Sequence, residues 1–221
     1  MKTYAELHDI AIARKGAEGL AQRLPDRPAT PLAELPDTRV LAEFTKRIFQ
    51  AGFNWQVIEN KWQGFEEAFQ GFDLGHNALM SDEDFDRHLT NTAIVRNPQK
   101  ILTVRDNAAF LLDLAREHGS AAACFAAWDP ADTIGLFDLL KKRGARLGGT
   151  TGQYALRMLG YDTFILSKSV VAALNAAGVI DGAATSKKAQ REVQAAFNAW
   201  HAESGLPYAV ISRTLAFTVP D

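Results

Sequence analysis

A basic stretch without acidic residues runs from Lys141 to Leu159, with the sequence KKRGARLGGTTGQYALRML. Lys141, Lys142 and Arg143 would end one helix, and the small residues after Gly144 would form a turn into a second helix. The first N–H groups of a helix lack partners within it, and with the helix dipole they bind anions. The stretch therefore predicts a helix pair that binds phosphate, with flanking cations attracting a phosphate backbone. The alternative is an ordinary antiparallel pair whose cations suit a helix C-terminus.

The composition limits the class of protein that can contain this basic stretch. The chain has 221 residues, of which 47% are hydrophobic, enough for a sizeable core. The net charge of −2 gives no hint of nucleic acid, so DNA binding depends on the local basic stretch. No apolar run reaches the roughly 20 residues that span a bilayer, and residues 1–16 lack the apolar part of a secretory signal. Cys124 is the only cysteine, so we expect it to be buried and the protein to be cytoplasmic.

Helix caps and helical spacing predict an all-α protein of about ten helices. Residues 22–37 hold four of the eight prolines and predict an irregular segment after a first helix. Trp62 and Phe65 are expected in the core. Asp162 would cap a helix ending at Gly178. The other predicted caps are Asp37, Asn54, Ser81 with Asp84, Asn97 before Pro98, Asp129 before Pro130, and Ser186.

Three segments carry motifs in a fixed order: QAGFNW within residues 49–73, IVRNPQKI within 94–111 and LKKRGARLGGTT within 139–155. They resemble motifs of the DNA-3-methyladenine glycosylase I family, within the helix-hairpin-helix DNA glycosylase superfamily. Leu147, Gly149 and Ala155 also agree with the superfamily's hairpin pattern, whereas Thr151 replaces its second glycine. The resemblance implies an all-α fold of two packed lobes with a cleft between them. It also implies a single glycosylase-like domain over residues 1–221, with the hairpin at about 131–159.

The resemblance implies a base excision repair enzyme that hydrolyses the N-glycosidic bond of a damaged base, with an alkylated base expected. Such an enzyme must flip the base out of the DNA stack and receive it on an aromatic surface. Trp55 matches the family's pocket tryptophan. The pocket would also include Phe53, Asn54, Arg47 and Tyr154. For each aromatic residue the alternative is core packing.

Asp162 is the expected catalytic residue. Breaking the glycosidic bond builds positive charge on the sugar, which a nearby carboxylate stabilises. The segment YDTFI at 161–165 resembles the V-D-T-H-V segment that carries the superfamily's catalytic aspartate. The alternative is a plain helix cap worth about 1 kcal/mol, and the two roles are compatible. Gln153 stands where bifunctional members have a lysine, and glutamine cannot form a Schiff base, so a monofunctional enzyme is expected.

Arg47 departs from the family, which has a pocket glutamate three residues before its Gln-Ala-Gly motif. A guanidinium cannot act as a base, and it would repel a cationic alkylated purine. Three interpretations stay open. Cationic 3-methyladenine is not the substrate, or Glu43 neutralises Arg47 from position i−4, or Arg47 faces DNA phosphate.

The expected partner is double-stranded DNA with a damaged base, bound by a monomer without a cofactor, on the nucleoid in a bacterium and not at a membrane. The residues expected to contact DNA are Lys141, Lys142, Arg143, Arg146, Gly148, Gly149, Thr150, Thr151 and Gly152. The family's structural zinc is not expected, because Cys124 is alone and the five histidines lack zinc-ligand spacing. One alternative is a DNA-binding protein of the same fold without activity. Another is a helical interaction protein that binds no DNA.

Overall fold

The computed structural model describes residues 1–22, 25 and 30–220, and within them every regular element is helical. In chain order the α-helices are α1 (Tyr4–Lys15), α2 (Ala17–Ala21), α3 (Asp37–Gln50), α4 (Trp55–Asn60), α5 (Trp62–Ala68), α6 (Leu74–Ala78), α7 (Asp82–Thr90), α8 (Pro98–His118), α9 (Ala121–Ala127), α10 (Thr133–Arg143), α11 (Thr150–Met158), α12 (Lys168–Ala176), α13 (Lys187–Ser204) and α14 (Tyr208–Ala216).

The all-α prediction is confirmed, and the described residues form more α-helices than the about ten that were predicted. Stretches with one continuous apolar pattern are broken into short helices, as at Lys61 between α4 and α5. Part of the proline-rich segment 22–37 lies outside the described residues, and Leu32–Glu34 within it forms a 3₁₀ turn. None of the helices in the described ranges is long and apolar enough to cross a membrane.

The chain forms two compact units. The first unit comprises Met1–Pro28, Trp128–Leu136 and Asp162–Asp221, and the second comprises Ala29–Ala127 and Phe137–Tyr161. In the first unit, α1 and α12 pack against α14, and stacked rings of Phe164 and Phe197, with centroids 4.2 Å apart, lie in the core. The single domain over 1–221 and the cleft between lobes stay predictions.

Helix α3 organises the second unit, where it packs against α8, α9 and α11. Its apolar face is Val40, Leu41, Phe44 and Ile48, all buried at the predicted helical spacing. Phe65 is fully buried in the core, as predicted, whereas Trp62 stacks on it with ring centroids 5.5 Å apart but is only half-buried. This packing fixes the orientation of the polar residues that α3 also bears.

Most predicted caps are confirmed, and two are wrong. Asn54, Ser81 with Asp84, Asn97, Asp129 and Ser186 cap the helical segments that follow them. Asp37 lies inside the first turn of α3, and its carboxylate instead accepts the backbone N–H groups of Ala121 and Ala122, both at 2.9 Å. It thus caps α9.

Asp162 is the second wrong cap. The helix after it begins at Lys168 and is capped by Ser167. The two carboxylate oxygens of Asp162 accept the backbone N–H groups of Tyr208, at 3.1 Å, and Ala209, at 2.8 Å. Asp162 therefore caps α14, a helix distant in sequence, and local spacing cannot show such a partner.

Candidate functional site

The predicted helical hairpin is present in the second part of the chain. Helix α10 ends at Arg143, a turn covers residues 144–149, and α11 begins at Thr150, three residues earlier than predicted. Gly149 precedes α11 with a φ of 61°, a conformation that glycine adopts without strain, and no side chain caps this helix at that position. The N-terminus of α11 is thus built from backbone N–H groups alone, which suits an anion.

Close contacts inside the hairpin explain why positions 144 and 152 are occupied by glycine. A Cβ added at Gly152 would lie 2.2 Å from the carbonyl oxygen of Leu147. One added at Gly144 would lie 2.6 Å from Leu147 Cδ1 and 2.8 Å from the carbonyl oxygen of Leu140. Leu147 is 1% exposed, so its side chain fills the space between the two helices. The hairpin therefore depends on the absence of side chains at both positions.

Gly152→Ala is expected to destabilise the protein by about 1–3 kcal/mol, because the new methyl group must displace backbone rather than a flexible side chain. Urea unfolding measures this change. Gly148→Ala is the matched control, since its Cβ would lie 3.4 Å from Lys141 Cγ, a side-chain atom able to move. Equal stability of the two variants would contradict the close packing at Gly152.

The basic residues of the hairpin are not equivalent. Arg143 donates two hydrogen bonds to the carboxylate of Glu117, at 3.0 and 2.9 Å, and these bonds lower the pKa of Glu117. Arg146 has a φ of 58° and donates to Gln99. Lys141 and Lys142 are exposed. The two lysines are therefore the hairpin cations best placed to meet phosphate.

Two of the predicted pocket residues meet in the second unit. Trp55 is the first residue of α4, behind the Asn54 cap, and is 48% exposed. Its ring lies edge-on to that of Tyr154 on α11, with centroids 6.0 Å apart and an interplanar angle of 89°. Phe53 is 43% exposed. Neither Phe53 nor Trp55 is a core residue.

Arg47 is paired with Glu43, one of the three interpretations of its position. Arg47 Nε donates to Glu43 Oε1 across one turn of α3, and the two side chains are only 10% and 17% exposed. The guanidinium carbon lies 5.3 Å from the centroid of the Trp55 ring, a cation–π arrangement. Burial raises the pKa of Glu43, although the charge of Arg47 opposes the rise. The aromatic ring of the candidate pocket thus has a buried ion pair beside it.

Lys100 was not among the site residues predicted from the sequence. It is 6% exposed, and its ammonium donates to the carbonyl oxygens of Phe49, at 3.1 Å, and Ala51, at 2.7 Å. The ammonium also lies 4.6 Å from the ring centroid of Phe53. Burial, with help from the charge of Arg146, lowers the pKa of Lys100. Lys100 therefore stabilises the turn between α3 and α4. In the sequence, its place in the motif IVRNPQKI was the feature from which this role could have been predicted.

Asp162 belongs to the first unit, whereas Arg47, Trp55, Tyr154 and the hairpin turn belong to the second. Both of its carboxylate oxygens are engaged at the N-terminus of α14. A carboxylate has about four lone-pair positions, so two remain for another partner.

Metal ligands do not converge in the described part of the chain, where no three His, Cys, Asp or Glu side chains could hold an ion together. Cys124 is buried, as predicted, and burial raises the pKa of its thiol, which disfavours the thiolate that zinc requires. The residues that the structure describes thus do not fit a structural zinc.

Elemental analysis of the purified protein is expected to find less than stoichiometric zinc, and chelator is expected to leave the melting temperature unchanged. A structural zinc contributes directly to folding, so its removal would lower that temperature. One zinc per chain would contradict this prediction.

Comparison with known proteins gives the same assignment as the motifs. A family model described as methyladenine glycosylase matches residues 34–185. A crystal structure of 3-methyladenine DNA glycosylase I is similar at 26% identity and a TM-score of 0.50, over 63% of this chain and 93% of that one. The enzyme of the same name from Staphylococcus aureus is similar at 21% identity and a TM-score of 0.53, over 68% of this chain and 92% of that one.

A third structure, a variant of 3-methyladenine DNA glycosylase I in complex with 3-methyladenine, is 20% identical with a TM-score of 0.52, over 70% of this chain and 91% of that one. No curated protein matches. The structures below 25% identity show the fold alone. Because the family match spans residues 34–185, well over half of the chain, the chain belongs to the methyladenine glycosylase family.

Proposed function

We propose that this protein is a monofunctional DNA glycosylase that removes a damaged base from double-stranded DNA in base excision repair, acting as a monomer. Family membership supports the reaction class, as do the similar structures named 3-methyladenine DNA glycosylase I. The observation that carries the proposal is Trp55, a half-exposed aromatic ring placed edge-on to Tyr154. Its exposure leaves surface on which an extruded base can stack.

The hairpin would hold the DNA backbone. Gly149 leaves the N-terminus of α11 open to a phosphate, and the exposed Lys141 and Lys142 add positive charge at the end of α10. These contacts carry no sequence information, which suits an enzyme that must find a lesion in any sequence context.

Asp162 is the proposed catalytic carboxylate. In the hydrolysis, the bond between the base nitrogen and the sugar carbon breaks, and the base leaves with the bonding pair. An alkylated base that was a cation leaves as a neutral molecule, whereas a neutral base also takes up a proton. The oxygen of water then bonds to the sugar carbon and loses its proton. The charge of Asp162 would stabilise the cationic sugar between these events. Gln153 cannot form a Schiff base, so the product is an abasic site in an uncut strand.

A second candidate is a DNA-binding protein of the same fold without activity. Arg47 in place of the family's pocket glutamate favours it, as does the engagement of Asp162 at α14. The third candidate is a helical interaction protein that binds no DNA, and no observation favours it. Cytoplasmic location stays an expectation from the single cysteine.

One experiment separates the three. Purified protein is incubated with duplexes that each carry one defined lesion, and alkali then cleaves the strand at abasic sites. Cleavage above the spontaneous rate supports the glycosylase. Binding without cleavage supports the inactive protein, and absence of binding supports the interaction protein.

A further inference from the structure

Two buried polar residues of α8 each bind a turn that leads to candidate site residues. Lys100 is 6% exposed and Asn107 is 1% exposed. They stand at positions i and i+7, which lie on the same side of a helix and about 10 Å apart along its axis. Burial of a charge or an amide is unfavourable unless the group finds partners, so the partners indicate what each residue does.

Lys100 stabilises the turn that leads from α3 into α4. Its ammonium donates to the carbonyl oxygens of Phe49, at 3.1 Å, and Ala51, at 2.7 Å. The last carbonyl groups of a helix lack partners within the helix, and the helix dipole favours a cation there. The ammonium also lies 4.6 Å from the ring centroid of Phe53. Phe53 and Trp55 follow directly in the chain, so Lys100 fixes the point from which both exposed rings project.

Asn107 stabilises the turn of the hairpin by binding both polar groups of one backbone residue. The N–H of Ala145 donates to Asn107 Oδ1 at 2.8 Å, and Asn107 Nδ2 donates to the carbonyl oxygen of Ala145 at 3.1 Å. The next residue, Arg146, has a φ of 58°, a left-handed conformation that is unfavourable for residues other than glycine. Such a conformation persists only when surrounding contacts enforce it, and Asn107 supplies two of them.

One continuous helix therefore binds both turns. Helix α8 and the two turns all belong to the second unit. The turn at 51–54 leads to the ring proposed to receive a base, and the turn at 144–149 leads to the groups proposed to hold phosphate. A base is joined to its own phosphate through the sugar, so both can be bound at once only if the two turns keep a fixed separation.

We propose, on the basis of the proposed function, that Lys100 and Asn107 are positioning residues that hold the base-receiving turn and the phosphate-binding turn at a fixed spacing along α8. Both side chains are buried, so neither contacts DNA itself. Lys100 acts on base release through the turn before Trp55, and Asn107 acts on DNA affinity through the hairpin turn. The two effects are therefore separable by experiment.

Lys100→Met is expected to slow base release at saturating protein by roughly threefold to tenfold, the equivalent of about one hydrogen bond. Lys61→Met is the matched control, because Lys61 also donates to a backbone carbonyl of the second unit, that of Thr92 at 2.6 Å. Each variant loses one positive charge, so the two should bind an undamaged duplex equally. Single-turnover release from DNA methylated with dimethyl sulfate measures the rate. Equal release rates in the two variants would overturn the role of Lys100.

Asn107→Leu is expected to weaken binding of an undamaged duplex by roughly threefold to tenfold, because a loosened turn must be ordered when DNA binds. Asn77→Leu is the matched control. Asn77 is also 1% exposed, and its Nδ2 donates to the carbonyl oxygens of Phe69, at 2.8 Å, and Asp73, at 2.7 Å. The release rate at saturating protein should change by less than about twofold in both variants. Equal affinities of the two variants, measured by anisotropy, would overturn the role of Asn107.

Amide hydrogen exchange follows the two turns directly and requires no activity. In Lys100→Met, exchange should quicken by roughly threefold to tenfold in residues 51–58 and not in residues 144–152, and Asn107→Leu should show the reverse. Exchange that quickens in neither turn, or in both turns alike, would overturn the proposal. Alanine at the same position replaces any variant that circular dichroism shows to be unfolded. If the unsubstituted protein binds DNA but releases no base, the proposed function fails, and the exchange and affinity measurements still decide this proposal.

Discussion

Asp162→Asn is expected to slow base release by about 10²-fold or more, because the substitution removes the charge proposed to stabilise the cationic sugar. DNA binding should hold or tighten slightly, since one carboxylate no longer repels phosphate. Single-turnover release and equilibrium binding to a duplex measure the two quantities separately.

The same substitution is expected to lower stability as well. Asparagine ordinarily replaces aspartate as an N-cap at little cost, because a single oxygen suffices. Asp162 uses both oxygens, one for Tyr208 N–H and one for Ala209 N–H. The amide nitrogen of asparagine would face one of these donors, so a loss of about 1–3 kcal/mol is expected in urea unfolding.

Asp37→Asn provides the control that separates chemistry from capping. Asp37 caps α9 with both oxygens in the same way, at 2.9 Å each, and no role in base release is proposed for it. It should lose similar stability and keep its rate of base release. If both variants lose activity equally, Asp162 is only a cap. The catalytic carboxylate should then be sought at Glu43 or Glu59.

The sequence predicted features whose partners are near in the chain. Asn54 and Ser81 bond to N–H groups within three residues, and the Arg47–Glu43 pair spans one turn, so side-chain type and spacing suffice. The hairpin also depends on residues near in the chain, since the carbonyl oxygen of Leu147 leaves no room for a side chain at Gly152, five residues later.

Predictions for residues whose partners are distant in the chain were wrong, or the residues were missed. Asp37 and Asp162 have the residue type of a local cap, yet each caps a helix 84 or 46 residues away. Lys100 would ordinarily be placed at the surface, but tertiary packing buries it against carbonyl groups 51 and 49 residues away. Gln50 Oε1 is buried without a hydrogen-bond partner in the described structure, and this too becomes visible only once the burial of α3 is known.

The second large expected effect is the loss of DNA affinity when the hairpin cations are removed. Replacement of Lys141, Lys142 and Arg143 by alanine should weaken binding alike for all DNA sequences, by roughly tenfold or more. The slope of log affinity against log salt should flatten by about 0.9 for each phosphate that the protein no longer neutralises. Anisotropy titrations of an undamaged duplex at several salt concentrations measure both quantities.

Arg143 is expected to contribute less than the lysines. Its guanidinium is held by two hydrogen bonds to Glu117, so contact with phosphate would require breaking an existing ion pair. The double variant Lys141→Ala/Lys142→Ala should therefore account for nearly all of the change, about 1.8 in slope. Arg143→Ala alone should change the slope little. A slope flattened by a full unit in Arg143→Ala would show that Arg143 leaves Glu117 for the DNA backbone. Unchanged affinity and slope in the triple variant would make the hairpin an ordinary antiparallel helix pair.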